Sequence, residues 1–255
     1  MRIGTTSYIF PADILTNVQR LAHRVDDVEL VIFEVDDAGT ELPDQSTIDK
    51  LNQLAGEHDL TYTVHLPLDL ALASDSPQAS LEKALRVIRS TAALSPYAFI
   101  VHVERGEESL GARPERAVDN AVRSLEALAT KVGGCTRLCV ENSEPGHFEI
   151  INAILEKLPV SCCVDAGHVW KERLDPVPLL ERLLPKTRVI HLHGVGHRDH
   201  QALSLVSTAD LDPVIALLRG FEGVLTLEVF NEQDLADSLM ALEQSLRRVG
   251  ISTRT

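Results

Sequence analysis

Residues 160–193 read VSCCVDAGHVWKERLDPVPLLERLLPKTRVIHLH and contain one complete strand–helix–strand unit. Val160–Asp165 and Arg188–His193 are rich in β-branched and apolar residues, as strands covered on both faces should be. Between them, Pro176–Leu184 has the apolar spacing of a helix. Strands that alternate with helices in this way predict a parallel sheet.

The same unit recurs along the whole chain. Six further segments have the composition of buried strands: Arg2–Ser7, Val28–Val35, Thr61–Leu66, Ala98–Val103, Thr136–Glu141 and Gly223–Val229. Seven further segments have helical spacing, and we expect Asp44 and Asp210 to be N-caps: Ala12–Val25, Asp44–His58, Ser80–Ala93, Pro114–Val132, Phe148–Leu158, Asp210–Arg219 and Glu232–Val249.

Eight strand–helix units predict a closed (β/α)8 barrel, a TIM barrel of the α/β class. The alternative is an open doubly wound sheet, but no GxGxxG motif follows the first strand. A chain of 255 residues suits one such domain. We expect that domain to span residues 1–250, with residues 251–255 (ISTRT) as a C-terminal tail.

Charge and composition narrow the functional classes. The chain has 24 basic and 38 acidic residues and a formal net charge of −14, with no basic run, which argues against nucleic acid and anionic lipid as partners. No apolar run reaches the length of a membrane span, and no signal-peptide pattern opens the chain. The four cysteines form no CxxC pair, so we interpret them as reduced thiols of a cytoplasmic protein.

Acidic residues and histidines gather where the predicted strands end, which is where a barrel of this kind carries its active site. Seven of the ten histidines lie at or just after a strand end. The polar residues at these ends are Glu34, His65, His102, Glu141, Asn142, Asp165, His168, His191, His193, His197, His200 and Glu228. Histidine and carboxylate together suit Zn2+ or Mn2+ better than Ca2+.

Side chains two residues apart on a strand share a face, which sharpens this set. Glu141, Asp165, His191 and Glu228 come from four consecutive strands, so their side chains can meet at one ion. Several buried carboxylates that face each other would be costly without a cation. We therefore predict that these residues bind one or more divalent ions. Trp170 follows the sixth strand, and we expect its side chain either to line a ligand pocket or merely to pack within the protein.

At these residues the chain resembles the xylose isomerase-like barrel superfamily, AP endonuclease family 2, which includes sugar epimerases and endonuclease IV. The matching segments are TVHLP at His65, IVHVE at His102, CVEN at Glu141, DAGH at Asp165 and His168, IHLHG at His191 and LEVF at Glu228. The resemblance implies that Glu141, Asp165, His191 and Glu228 hold one metal ion. It also implies that His65, His102, His168 and His200 are the counterparts of histidines that hold further zinc ions in the endonucleases.

One segment departs from the endonuclease pattern. Those enzymes carry Asp-x-His after the seventh strand, whereas this chain has Arg198, Asp199 and His200, with the Asp one residue out of place.

A narrower similarity is to the cobamide-remodelling phosphodiesterases of this superfamily. It is visible in five segments: RIGTTSYIFPADILTNV, VELVIFEVDD, LTYTVHLPLDL, DAGHVW and RDHQALS.

Two activities and one inactive state follow as hypotheses. The first is metal-dependent hydrolysis of the phosphodiester in the cobamide nucleotide loop, with Glu34, Glu141 and Glu228 as catalytic residues and His193, His200 and Trp170 as substrate-binding residues. The second is isomerisation or epimerisation of a sugar or sugar phosphate, with Glu141 and Glu228 as base and acid. The third is a binding barrel without catalysis. The histidines beyond the one-ion set favour the first hypothesis.

Overall fold

Eight parallel strands close into a barrel, as the sequence predicts. The computed structural model describes residues 1–32, 35–36, 39–40, 42–104, 114–143 and 147–252. The barrel strands, in chain order, are β1 (Arg2–Thr6), β2 (Asp27–Val31), β3 (Thr61–His65), β4 (Phe99–Val101), β5 (Leu138–Glu141), β6 (Ser161–Asp165), β7 (Thr187–Leu192) and β8 (Val224–Leu227). Each strand pairs with the next, and β8 pairs with β1.

Helices cover the outside of the barrel. In chain order they are α1 (Ile14–Leu21), α2 (Gln45–His58), α3 (Gln78–Thr91), α4 (Pro114–Val132), α5 (His147–Lys157), α6 (Ala166–Lys171), α7 (Val177–Leu183), α8 (Thr208–Leu217) and α9 (Glu232–Arg248). The outward side chains of the strands form the large apolar core with these helices, because alternate residues of a strand face opposite sides. The inward side chains face the barrel interior, where they can form a binding site.

Part of the lower barrel interior is apolar. Its side chains form a second, separate core cluster: Ala98, Ile100, Cys139, Cys163, Val189 and Val224. All four cysteines are free thiols, in agreement with the prediction that they form no disulfide. This cluster lies beneath the polar residues at the carboxyl ends of the strands, alongside the buried polar residues Asp27 and Thr63.

The predicted N-cap of α2 is confirmed, whereas the predicted N-cap of α8 is wrong. The Asp44 side chain accepts a hydrogen bond from the Thr47 amide at 2.8 Å, so Asp44 caps α2 as predicted. Asp210 is not an N-cap: Ser207 caps α8 and accepts from the Asp210 amide, because the helix begins one turn earlier than its apolar pattern indicates. The sequence pattern also missed α6, whose six residues are too few to show a period.

The second strand is shorter than the predicted Val28–Val35. It ends at Val31, and Val35–Asp36 pairs instead in an antiparallel ribbon with Gly39–Thr40. Glu34, predicted as a catalytic residue, lies outside the described residues. No helix in the described part of the chain is both long and apolar enough to cross a membrane.

The predicted tail begins as part of the domain. The Ile251 amide donates a hydrogen bond to the Leu246 carbonyl at 2.9 Å, and the Ile251 side chain packs against the core. Residues 253–255 lie outside the described part of the chain.

Candidate metal centre

Glu141 occupies the centre of the polar cluster at the carboxyl end of the barrel. Its side chain is buried, and its two oxygens face different partners. Oε2 lies 3.1 Å from His65 Nε2 and 3.0 Å from His102 Nε2, whereas Oε1 lies 3.0 Å from His191 Nδ1. One carboxylate therefore joins two groups of candidate metal-ligand residues.

The first group is His65, His102 and Glu141, whose candidate ligand atoms lie within 4.8 Å of one another. The Leu66 carbonyl accepts a hydrogen bond from His65 Nδ1 at 2.7 Å and so directs Nε2 towards Glu141. Burial lowers the pKa of His65, but the hydrogen bond and the charge of Glu141 outweigh it and raise the pKa to about 9.

The second group is the predicted four-residue set, Glu141, Asp165, His191 and Glu228, and the structure brings its candidate ligand atoms within 4.8 Å of one another. His191 Nδ1 lies 3.1 Å from Glu228 Oε2 and 3.9 Å from Asp165 Oδ2. The register explains this meeting, because Asp165 pairs directly with His191 across β6 and β7.

The third group is His168, His193 and His200, again with candidate ligand atoms within 4.8 Å. His193 Nε2 lies 3.3 Å from Asp165 Oδ1, and His200 Nδ1 lies 3.5 Å from Glu228 Oε2. The third group therefore adjoins the second through its carboxylates.

The end of β6 sets the position of His168. Asp165 is both the last residue of β6 and the N-cap of α6, and its Oδ1 accepts from the His168 amide at 2.8 Å. Asn142 holds this junction from the neighbouring strand end: its Nδ2 donates to the Asp165 carbonyl at 2.8 Å and its Oδ1 accepts from the Asp165 amide at 2.9 Å. The DAGH segment thus places a carboxylate and an imidazole one helical turn apart.

A short loop after β7 sets the position of His200. Gly194 and Gln201 form an antiparallel bridge, which folds the intervening residues back over the barrel. His200 has a φ of +50°, in the left-handed region that non-glycine residues adopt at a cost. The loop backbone therefore holds His200 at the cluster. His197, in the same loop, is exposed.

The residues present fit divalent metal ions. Asp165 Oδ2 is buried and accepts no hydrogen bond from the described residues, which is costly for a carboxylate oxygen. Burial raises the pKa of Glu141, Asp165 and Glu228, but the neighbouring histidines outweigh it and leave each pKa below its usual value. Charged carboxylates beside imidazoles are the ligands that Zn2+ and Mn2+ prefer.

A cavity of about 460 Å3 opens above the cluster. Six of the predicted site residues line it: His65, His102, Glu141, His168, His200 and Glu228. Asp165, His191 and His193 lie beneath it and are fully buried, so the structure does not bring His193 to the cavity wall as a substrate-binding residue would require.

Trp170 lies elsewhere, in a neighbouring cavity of about 730 Å3. Lys171 lines both cavities, and its Nζ lies 2.7 Å from Asp199 Oδ2. The Asp199 carboxylate, displaced by one position in the sequence, still reaches the third group, since its Oδ1 lies 3.4 Å from His193 Nδ1.

Sequence reasoning missed Glu29. This residue lies in the middle of β2, is fully buried, and places Oε2 3.0 Å from His191 Nε2. The signal was present, because an acid inside the apolar run VELV shares the inward face with Asp27 and Val31.

The family follows from comparison with known proteins. The family model described as xylose isomerase-like TIM barrel, AP endonuclease family 2, matches residues 21–249. The chain belongs to this family. No curated protein matches the sequence.

Solved structures of low sequence identity share the fold of this xylose isomerase-like barrel. A D-tagatose 3-epimerase-like protein is 21% identical, with a TM-score of 0.82 and 98% of each chain covered. D-psicose 3-epimerase from Clostridium cellulolyticum is 14% identical, with a TM-score of 0.73 and coverage of 99% of this chain and 100% of that one. Endonuclease IV from Thermus thermophilus is 19% identical, with a TM-score of 0.70 and coverage of 97% of this chain and 100% of that one.

Proposed function

We propose that this protein is a divalent-metal-dependent hydrolase that cleaves a phosphodiester in a small molecule. The observation that carries the proposal is the position of Glu141, whose two oxygens face two different ligand groups. A carboxylate placed in this way would serve both groups of residues if each held an ion. Paired ions are typical of enzymes that displace an oxygen from phosphorus.

The side chains around the cavity suit an anionic phosphodiester. Bound ions would supply charge neutralisation at the phosphate and would acidify an attacking water. His168 and His200 line the cavity and can donate hydrogen bonds to phosphate oxygens. Lys171 also lines the cavity, with its Nζ paired to the Asp199 carboxylate at 2.7 Å. Water attacks phosphorus, the bond to one ester oxygen breaks, and the leaving oxygen takes a proton.

We propose the nucleotide loop of a cobamide as the substrate, on the similarity of five sequence segments to cobamide-remodelling phosphodiesterases. A cavity of about 460 Å3 accommodates a phosphodiester with its adjoining sugar. The corrin ring would remain at the mouth. Trp170 would contact a part of the substrate that extends past Lys171 into the neighbouring cavity. The products are a lower-ligand nucleoside and a phosphorylated corrinoid.

A second candidate function is epimerisation of a ketose or its phosphate. It is supported by the structural similarity to a D-tagatose 3-epimerase-like protein. Glu141 and Glu228 both line the cavity and both contact His191, so they can act on adjacent carbons as base and acid. This reaction uses the four-residue group and assigns no ion to the other histidines.

One experiment separates the two functions. The metal-reconstituted protein is incubated with an adenosylated cobamide, and separately with ketoses in deuterated water. Release of the nucleoside and the phosphorylated corrinoid, followed by chromatography, supports hydrolysis. Deuterium incorporation at a ketose carbon with an intact cobamide supports epimerisation and overturns the first proposal.

The variant Glu141→Gln tests the assignment of the site. It should lower turnover by at least about 100-fold, because a metal-site charge is worth several kcal/mol to the transition state. Glu82→Gln, which changes an exposed carboxylate on α3, is the matched control and should leave turnover unchanged. Near-normal turnover of Glu141→Gln would contradict the assignment.

A further inference from the structure

We infer that Glu29 is a positioning residue that fixes the ring of His191 for metal binding, an inference that rests on the proposed metal site. Glu29 lies on the inward face of β2, one layer below the cavity, and is fully buried. Its Oε2 lies 3.0 Å from His191 Nε2. The other ring nitrogen, Nδ1, lies 3.0 Å from Glu141 and 3.1 Å from Glu228.

The two nitrogens of His191 therefore face two different environments. A neutral imidazole carries one N–H donor and one lone pair. If Nε2–H donates to Glu29, the lone pair lies on Nδ1, which is the atom aimed at the four-residue group. A carboxylate that holds the far nitrogen of a metal-binding histidine sets its tautomer and raises its basicity.

The surroundings of Glu29 support this role over a structural one. The only other hydrogen bond to its carboxylate in the described residues is a long one from Thr63 Oγ1, at 3.5 Å, and Oε1 accepts none. A buried carboxylate with so few partners contributes little net stability. Its one short contact is with His191, so the carboxylate is placed to act on that ring.

Glu29 is also close enough to other ligands to be a ligand itself. One of its oxygens lies within 4.8 Å of candidate ligand atoms of His65 and Glu228. The two roles differ in what a substitution removes. Loss of a direct ligand removes an ion, whereas loss of a positioning residue weakens binding and leaves the number of ions unchanged.

The test uses Glu29→Gln, which keeps the shape of the side chain and removes its charge. Asp27→Asn is the matched control, because Asp27 is a buried carboxylate on the same face of β2 that bonds to Thr61 and Thr63 and has no bond to His191. Metal affinity is measured by competition with a chromophoric chelator, and metal content by elemental analysis. The Co2+-substituted proteins are compared by visible absorption, which reports the ligand field.

We expect Glu29→Gln to bind metal about 10- to 100-fold more weakly than wild type, with the same number of ions and an altered Co2+ spectrum. Asp27→Asn should stay within about twofold of wild type. Unchanged affinity of Glu29→Gln, or loss of one full ion equivalent, would overturn the inference. If Glu29→Gln does not fold, Glu29→Asp replaces it, with the carboxylate withdrawn from His191 and the same weakening expected.

These readouts do not depend on turnover. If the cobamide stays intact but Glu29→Gln still weakens metal binding, the proposed function fails and the inference stands. If the cobamide is cleaved and Glu29→Gln binds metal normally, the inference alone fails. A wild-type protein that binds no divalent metal overturns both.

Discussion

The stability of the barrel should fall as the pH rises, because of Asp27. This carboxyl is fully buried beneath the candidate metal centre and accepts hydrogen bonds from Thr61 Oγ1 at 2.6 Å and Thr63 Oγ1 at 2.9 Å. Burial outweighs these hydrogen bonds and raises the pKa of Asp27 from 3.8 to about 7. The folded chain therefore holds a proton at pH values where the unfolded chain has released it.

The sign and size of the effect follow from linkage. Because the folded state binds the extra proton between about pH 4 and 7, stability is greatest below that window and is lost as the pH rises through it. Three pKa units correspond to about 4 kcal/mol in total. The isoelectric point is near 5.1, so measurements start at about pH 5.5, from which we expect a loss of about 2 kcal/mol by about pH 8.

The assay is urea denaturation of metal-free wild type and Asp27→Asn at matched pH values. Asparagine does not titrate, so the difference in the free energy of unfolding between the two proteins isolates Asp27 from the histidines. That difference should change by about 2 kcal/mol between pH values of about 5.5 and 8. This corresponds to a change of about 1 M in the difference between the urea midpoints of the two proteins. A difference that stays constant across the whole range would refute the argument that burial keeps Asp27 protonated.

Three further predictions concern the metal centre. Zn2+ or Mn2+ at about 100 times its dissociation constant should stabilise the protein by about 2.7 kcal/mol, measured by thermal unfolding. Dialysis against a chelator should abolish this stabilisation. A melting temperature that does not change on addition of metal would contradict the presence of a metal site. Metal affinity should fall on acidification because imidazole ligands must lose a proton, so calorimetry in buffers of different ionisation enthalpy should detect proton release, and its absence would argue against histidine ligands. Gly167→Ala should destabilise the protein by about 1–3 kcal/mol and reduce its metal content, because a Cβ at this position would lie 2.2 Å from His193 Nε2. Gly56→Ala is the control, because a Cβ at Gly56 would meet open space and should not destabilise the protein. Equal behaviour of the two variants would contradict the packing argument.

The fold was predictable because the hydrophobic pattern repeats eight times. Each predicted strand overlaps the observed one, and the errors lie at the ends. His102 and His193 fall just beyond β4 and β7, where hydrogen bonding of the strand has ended, yet both side chains still belong to the polar cluster. Position at a strand end, rather than membership of the strand, was the useful signal.

The meeting of Glu141, Asp165, His191 and Glu228 was also predictable. Neighbouring parallel strands end at one edge, and alternation selects the inward residues. Their roles as metal ligands, and those of Glu141 and Glu228 in catalysis, remain predictions. The sequence does not single out Glu29, because its pattern predicts one long strand over Val28–Val35 and places Glu34 at the end of that strand.

The position of His200 and the burial of the His193 ring could not be predicted from strand patterns. His200 depends on the bridge between Gly194 and Gln201 and on its own left-handed backbone, neither of which leaves a periodic trace in the sequence. His193 was expected in contact with substrate, but its ring lies against Gly167 beneath the cavity floor, which only the position of α6 reveals.

The apolar cluster in the lower barrel lies between the candidate metal centre and the opposite end of the barrel. Side chains such as Ile100 and Cys163 pack in the interior below these residues, so we expect any ion or small molecule that binds to enter and leave through the cavity at the strand ends. A molecule bound in the cavity would then lie between the ions and the solvent. Occupancy of the cavity should slow the escape of ions to a chelator, which couples the lifetime of the metal centre to that of the complex above it.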